Sequence, residues 1–394
     1  MFYPKHNALR LAAFYAAFFV VIGVIQQFWP LWLAAQQLDA AEIGVVLAVG
    51  VGAKIIGLPV AAHVADRSGE RRRPMVLLAW LSVLSFALFA LTRTFWPIVL
   101  VSLLFFSLWP PVMSLGESVT LMAARAGGFE YGRVRLWGSL SYIAVALAAG
   151  AILVRVPADA VYGMVLAGVA LTAIVCLAVP DLRARPSRIH RLPVAALLRQ
   201  RRMVLLLTGC GLVQGSHAVY YAFGTLHWQA AGYSEALIGS LWALGVICEV
   251  VLFACGAAAV RRCGAVGLMV IAGLAATVRW LGTGLTEWLP ALLVLQTLHA
   301  FSFGAAHLGA MHWISRNVDP ALSATAQSLY SAVVFGLFLG GLLYVAGLLY
   351  AAFHGAAFLP MAIAGLAGTL LTLPLRKEGS RALPRSRQRE GPGA

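Results

Sequence analysis

Long apolar runs alternate with short polar connections along the whole chain. They fall near 9–35, 41–65, 74–92, 96–124, 132–154 and 159–179, then near 202–231, 235–259, 264–285, 288–315, 322–350 and 354–375. Most exceed the roughly 20 residues that a helix needs to cross a bilayer. They lack the alternation of barrel strands, so helices are what satisfies the backbone in lipid. The pattern predicts an all-α membrane protein with twelve transmembrane helices in two six-helix, pseudo-symmetric halves. The first run is longer than the roughly 7–15-residue core of a cleaved signal peptide, and reads as an uncleaved span.

Composition narrows the class. Hydrophobic residues make up 61% and charged residues 11%, which excludes an ordinary soluble domain. The net charge of +15 raises the question of nucleic acid, and its placement answers it. Lys and Arg collect in alternate connections: Arg67 with Arg71, Arg72 and Arg73, then Arg125 and Arg133, a cluster from Arg183 to Arg202, then Arg261, Arg262, Arg316 and a tail from Arg376 to Arg389. The opposite connections hold Arg93 and Arg155 beside Asp39, Glu42, Asp159, Glu235 and Glu287. This asymmetry is a topology signal that puts both termini in the cytoplasm. No stripe of basic and aromatic residues offers a nucleic-acid surface.

The longest polar connection, DLRARPSRIHRLPVAALLRQRR, lies near the midpoint. The expected organisation is a bundle over 1–180, a cytoplasmic linker over 181–201, a second bundle over 202–375 and a disordered cytoplasmic tail over 376–394. Many secondary transporters are built this way, with the solute site between the halves. Cys176, Cys210, Cys248, Cys255 and Cys263 form no C-x-x-C pair and read as small buried apolar side chains. His307 and His312 are five apart, a poor metal pair on a helix. With no phosphate loop, nucleophile elbow or zinc signature, no cofactor, metal or catalytic residue is expected. The reading is a gradient-driven carrier, not an enzyme or an ATP-driven pump, acting as a monomer.

Charges inside the apolar runs are the candidate chemistry, because burial in lipid makes them costly. They are Lys54, Glu117, Arg135, Glu249 and Arg279. Basic groups outnumber acidic ones, which suits a carboxylate held by an Arg through two parallel hydrogen bonds. Internal pairs that merely hold helices together are the competing reading. Lys54 reads equally as a solute contact and as a balance for a carboxylate. His299 sits one-third into its run and is the best of the histidines for proton transfer, with a structural hydrogen bond as the alternative. Pro110 and Pro111 are expected to break the fourth span and free carbonyls along a cavity. Tyr220, Tyr221, Phe223 and Trp228 cluster in the seventh run. Tyr220 and Tyr221 are expected to face different ways, with Tyr221 taken as the solute contact.

The connection AAHVADRSGERRRPM resembles the loop signature of the major facilitator superfamily, G-x-x-x-D-R-x-G-R-R, through Asp66, Gly69 and Arg71. It departs at Ala62 and Glu70. VRRCGAVG is a degenerate echo in the second half. The run YGRVRLWGSLSYI resembles the oligosaccharide–proton symporters. That resemblance implies that Arg135 is the solute-site arginine with Glu117 as its partner, and that Glu249, Arg279 and His299 correspond to charged positions of the second half. The chain departs from that family at Ser302 and Gln296, where a carboxylate and a lysine belong, and lacks an acidic residue in the seventh span. The segments QGSHAVYYAFGTLHWQAAGY, LWALGVICEVVLF, RRCGAVGLMVIAGLAATVRW and LHAFSFGAAHLGAMHWI are similar to the 3-phenylpropionate permease family, in order along the chain.

The resemblance implies a proton-coupled symporter importing a small aromatic carboxylic acid by alternating access. Its solute contacts would be Arg135, Glu117, Lys54, Arg279 and Tyr221. Glu117, Glu249 and His299 would handle the proton, and Asp66, Gly69 and Arg71 would form a gating loop. The expected partners are a small organic acid, protons and the bilayer. A proton-coupled sugar or nucleoside symporter is the alternative, and a non-transporting receptor on a transporter fold is a second one.

Overall fold

The computed structural model describes residues 4–126, 129–182, 194–319 and 322–376. The regular elements are helical. Ahead of the central connection come α1 (Pro4–Ala35), α2 (Ala40–Ser68), α3 (Arg72–Ala87), α4 (Phe95–Ala126), α5 (Tyr131–Leu153) and α6 (Ala160–Cys176). After it come α7 (Val194–Leu198), α8 (Arg201–Gly215), α9 (Ala218–Ala230), α10 (Glu235–Ala254), α11 (Gly256–Leu285), α12 (Leu289–Thr297), α13 (Ala306–Asn317), α14 (Ser323–Tyr330), α15 (Leu339–Phe353) and α16 (Phe358–Thr372). Most of the linker and tail expected at 181–201 and 376–394 lies outside the described residues.

The expectation of twelve transmembrane helices is corrected to ten. Ten helices among the described residues are long and apolar enough to cross a membrane. The run at 159–179 folds as α6, which has 17 residues. At the α-helical rise that is about 25 Å, short of a hydrocarbon core of about 30 Å. The last two apolar runs merge into one helical stretch of 52 residues, Thr325–Arg376. The two runs meet at a 3₁₀ turn, His354–Ala357, with no loop of any length between them, although His354 itself leaves helical geometry at φ 48.

Two further expectations change. Pro110 and Pro111 do not break α4, which runs continuously through them. The seventh run does break, at Ser216 and His217, between α8 and α9.

Packing explains the overall arrangement. Helix α1 lies against α5 and α6, α2 against α4, and α3 against α4 and α6. In the second part α11 lies against α16 and α13, and α8 against α16. The two groups meet where α2 touches α15, α5 touches α10, and α1 touches α9. Small residues allow these approaches, since lipid-embedded helices associate through close packing. A Cβ on Gly44 would lie 2.7 Å from Gly347 Cα, and one on Gly239 would lie 2.4 Å from the Ala146 carbonyl oxygen.

Candidate functional site

Glu117 on α4 and Arg135 on α5 meet, with Arg135 Nε 4.0 Å from Glu117 Oε1. The Tyr131 hydroxyl donates to the same carboxylate at 3.3 Å. The Arg135 guanidinium lies 4.2 Å from the ring centroid of Phe19 on α1, and 5.4 Å from that of Tyr15. An aromatic face attracts a cation and holds the guanidinium where α1 and α5 converge. Gly138, one helical turn on, leaves the room: a Cβ there would lie 2.9 Å from Arg135 Nη1.

Arg279 on α11 anchors the second cluster and is fully buried. Its Nη2 donates to Gln296 Oε1 at 2.6 Å, and its Nη1 lies 2.9 Å from His299 Nδ1. The guanidinium rests 4.3 Å from the Tyr220 ring centroid and 4.5 Å from that of Trp280. On its other nitrogen, His299 Nε2 lies 3.7 Å from Glu249 Oε2 on α10. His299 precedes a π-helical turn, Ala300–Ala305, between α12 and α13. Such wide turns interrupt regular helices at functional sites. Arg135 acts electrostatically on Glu249 from the other group of helices.

The structure therefore brings Glu117 to Arg135, and Glu249, His299 and Arg279 to one another. Tyr221 reaches the second cluster by stacking, with its ring centroid 5.6 Å from that of His217 and 6.3 Å from that of Trp242. The expectation that Tyr220 and Tyr221 face apart is not met, for both rings adjoin Trp242. Lys54 stands apart on α2, half-buried, with no hydrogen bond or ion pair among the described residues. In the connection between α2 and α3, Gly69 takes φ 70 at the end of α2, a left-handed conformation that glycine adopts without strain. Arg71 donates to the Ala65 carbonyl at the end of α2 and, at 3.4 Å, to Ser118 Oγ on α4. The side chain of Asp66 lies outside the described residues.

Sequence reasoning passed over several groups. Gln296 and Ser302 read as losses of charge, yet they hold Arg279, at 2.6 and 3.5 Å. His217 joins them, 3.1 Å from Ser302 Oγ. Gln27 on α1 is fully buried, beside the Tyr142 hydroxyl, and its carboxamide has no close hydrogen bond among the described residues. Its carbonyl accepts from Thr225 Oγ1 at 2.5 Å, and Trp242 Nε1 donates to the same hydroxyl at 3.1 Å. The available signal was the polar residue within each apolar run; which of them share a site depends on how the helices cross.

A multi-pass helical bundle with opposed intramembrane charges on facing helices is the architecture of a secondary transporter, not of an enzyme. The family described as "MFS_1 like family" matches residues 8–359, and the chain belongs to it. The chain is 31% identical over 373 residues, 92% of its length and 96% of the relative's, to "Probable 3-phenylpropionic acid transporter" of Escherichia coli (strain K12). It is 25% identical to the maltose permease of Geobacillus stearothermophilus, over 92% of this chain and 93% of that one. Among solved structures, the nucleoside transporter NupG superposes with a TM-score of 0.81 at 17% identity, covering 94% of this chain and 99% of that one. The chain is thus a major-facilitator secondary transporter of a small solute.

Proposed function

We propose that the chain is a proton-coupled symporter that imports a small ring-bearing solute by alternating access. Residues 1–180 and 202–375 rock as two halves about a midplane site, in a bacterial inner membrane with both termini cytoplasmic. Arg135, Glu117, Arg279 and Tyr221 contact the solute. Glu117 and Glu249 handle the proton, with His299 between Glu249 and Arg279. Asp66, Gly69 and Arg71 form the cytoplasmic gating loop. The carrying observation is that each half pairs an acid with a base, Glu117 with Arg135 and Glu249 with His299 and Arg279, and that Arg135 acts electrostatically on Glu249 across the halves.

A polar ring solute of the sugar or nucleoside kind has the better support. Arg279 already holds Gln296 and His299 through its two terminal nitrogens, so it presents no empty fork to a carboxylate. The buried carboxamide of Gln27 and the rings of Tyr220 and Trp242 supply hydrogen bonding and a stacking face. A sugar permease among the relatives and a nucleoside transporter among the structures carry names of that class.

One observation favours the second reading, an aromatic carboxylate such as 3-phenylpropionate. Lys54 is a cation without a partner among the described residues, and the relative at 31% identity bears that substrate's name. Proteoliposome uptake of labelled uridine, maltose and 3-phenylpropionate, with and without an inward proton gradient, tests both. Gradient-driven accumulation of uridine or maltose supports the first reading. Accumulation of 3-phenylpropionate alone, abolished by Lys54→Gln, replaces it with the second.

A further inference from the structure

The hydrogen bonds around Ser302 run in one consistent direction. His217 Nδ1 faces the carbonyl oxygens of Val213 and Gln214, each at 3.2 Å. Carbonyls only accept, so Nδ1 carries the hydrogen. The ring is fully buried, with the Arg279 cation as its charged neighbour, so the neutral form fits the site. Its Nε2 is then a bare acceptor 3.1 Å from Ser302 Oγ, nearer than the His299 carbonyl at 3.4 Å, and the hydroxyl donates to the nearer acceptor. The Ser302 lone pairs are left facing Arg279 Nη1, 3.5 Å away. That same Nη1 meets His299 Nδ1 at 2.9 Å. A guanidinium only donates, so His299 Nδ1 is bare and its hydrogen sits on Nε2, toward Glu249.

We propose that His217 is a positioning residue for proton coupling. By taking the Ser302 hydrogen, it turns the Ser302 lone pairs to Arg279, which keeps that guanidinium on His299 Nδ1 and the His299 N–H on Glu249. The break between α8 and α9 places His217 there, and Ser216 beside it accepts from Trp280 Nε1 at 2.8 Å, tying the break to α11. His299 can take a second proton only at Nδ1, the atom that Arg279 covers. A proton on Glu249 therefore stays there until Arg279 moves. Ser302, which reads in the sequence as a missing carboxylate, is the link that makes this order possible.

The inference rests on the proton-symport reading. The test compares His217→Phe, which removes the acceptor, with His217→Gln, whose carboxamide oxygen restores one. The full chain is reconstituted with labelled uridine and 3-phenylpropionate as probes. Uphill accumulation under a proton gradient is read beside equilibrium exchange. Nitrogen-15 NMR of histidine-labelled protein reads which ring nitrogen of His299 is bare. Loss of one buried hydrogen bond predicts at least about a tenfold fall in accumulation for His217→Phe, with exchange held within about twofold and recovery in His217→Gln. Wild-type His299 shows a bare Nδ1. Wild-type accumulation in His217→Phe overturns the proposal. So does joint loss of exchange and accumulation without rescue by Gln, or a hydrogen on His299 Nδ1 in the wild type. A wild type that exchanges a probe but never accumulates it overturns the symport reading instead, and the NMR result separates the two failures.

Discussion

Gly57 on α2 lies directly against the backbone carbonyl of Ser107 on α4: a Cβ at position 57 would fall 2.0 Å from that oxygen. Ser107 is four residues before Pro111, which has no N–H to give it. The carbonyl freed by the double proline is thus covered by a helix backbone rather than by a cavity, and α4 stays unbroken. Gly57→Ala is expected to force α2 off α4 and lower stability by about 1–3 kcal/mol. Thermal denaturation of the purified protein in detergent checks this, and an unchanged midpoint would contradict the contact.

The approaches of Gly44 to Gly347 and of Gly239 to Ala146 join the two groups of helices. Gly239→Val is expected to prise α10 from α5 and expose residues now sealed beneath, among them Gln27, which is fully buried. In a cysteine-free background, a hydrophilic maleimide should label Gln27→Cys faster when Gly239→Val is present. Equal labelling rates would show that this contact does not close the site.

Arg279→Lys is expected to impair transport despite keeping the charge. The guanidinium reaches Gln296 and His299 through two different nitrogens, at 2.6 and 2.9 Å, and an ammonium cannot span both in that plane. A loss of about 1–3 kcal/mol corresponds to a fall of about fivefold to two-hundredfold in exchange of whichever solute the wild type carries. Retention of more than half the wild-type rate counts against the assignment.

Glu117→Gln removes the charge that faces Arg135 at 4.0 Å while keeping the shape. The expected outcome is loss of solute uptake, with Arg135→Ala giving the same defect. Normal uptake in both variants would remove the pair from the site.

Glu249→Gln keeps a hydrogen-bond acceptor for His299 Nε2 but cannot take up and release a proton. Exchange should persist while uphill accumulation disappears. A variant that still accumulates solute places the proton elsewhere, on Glu117.

The apolar runs were enough to announce a polytopic helical membrane protein, because about 20 lipid-compatible residues have no other stable backbone solution. They also exposed Glu117, Arg135, Glu249, Arg279 and His299, since each is a charge or an imidazole in the wrong solvent. The count of crossings was less legible. Hydrophobicity does not register that α6 stops at 17 residues or that only a 3₁₀ turn, His354–Ala357, separates α15 from α16. Nor did the sequence indicate which polar groups share a site. His217 and Ser302 are 85 residues apart, and Gln27 and Thr225 are 198 apart. Only the crossing of α1 with α9, and the π turn after His299, bring them together. Residue types alone mark which groups are costly in lipid; how each is compensated follows from helix packing, because packing and not position along the chain chooses hydrogen-bond partners.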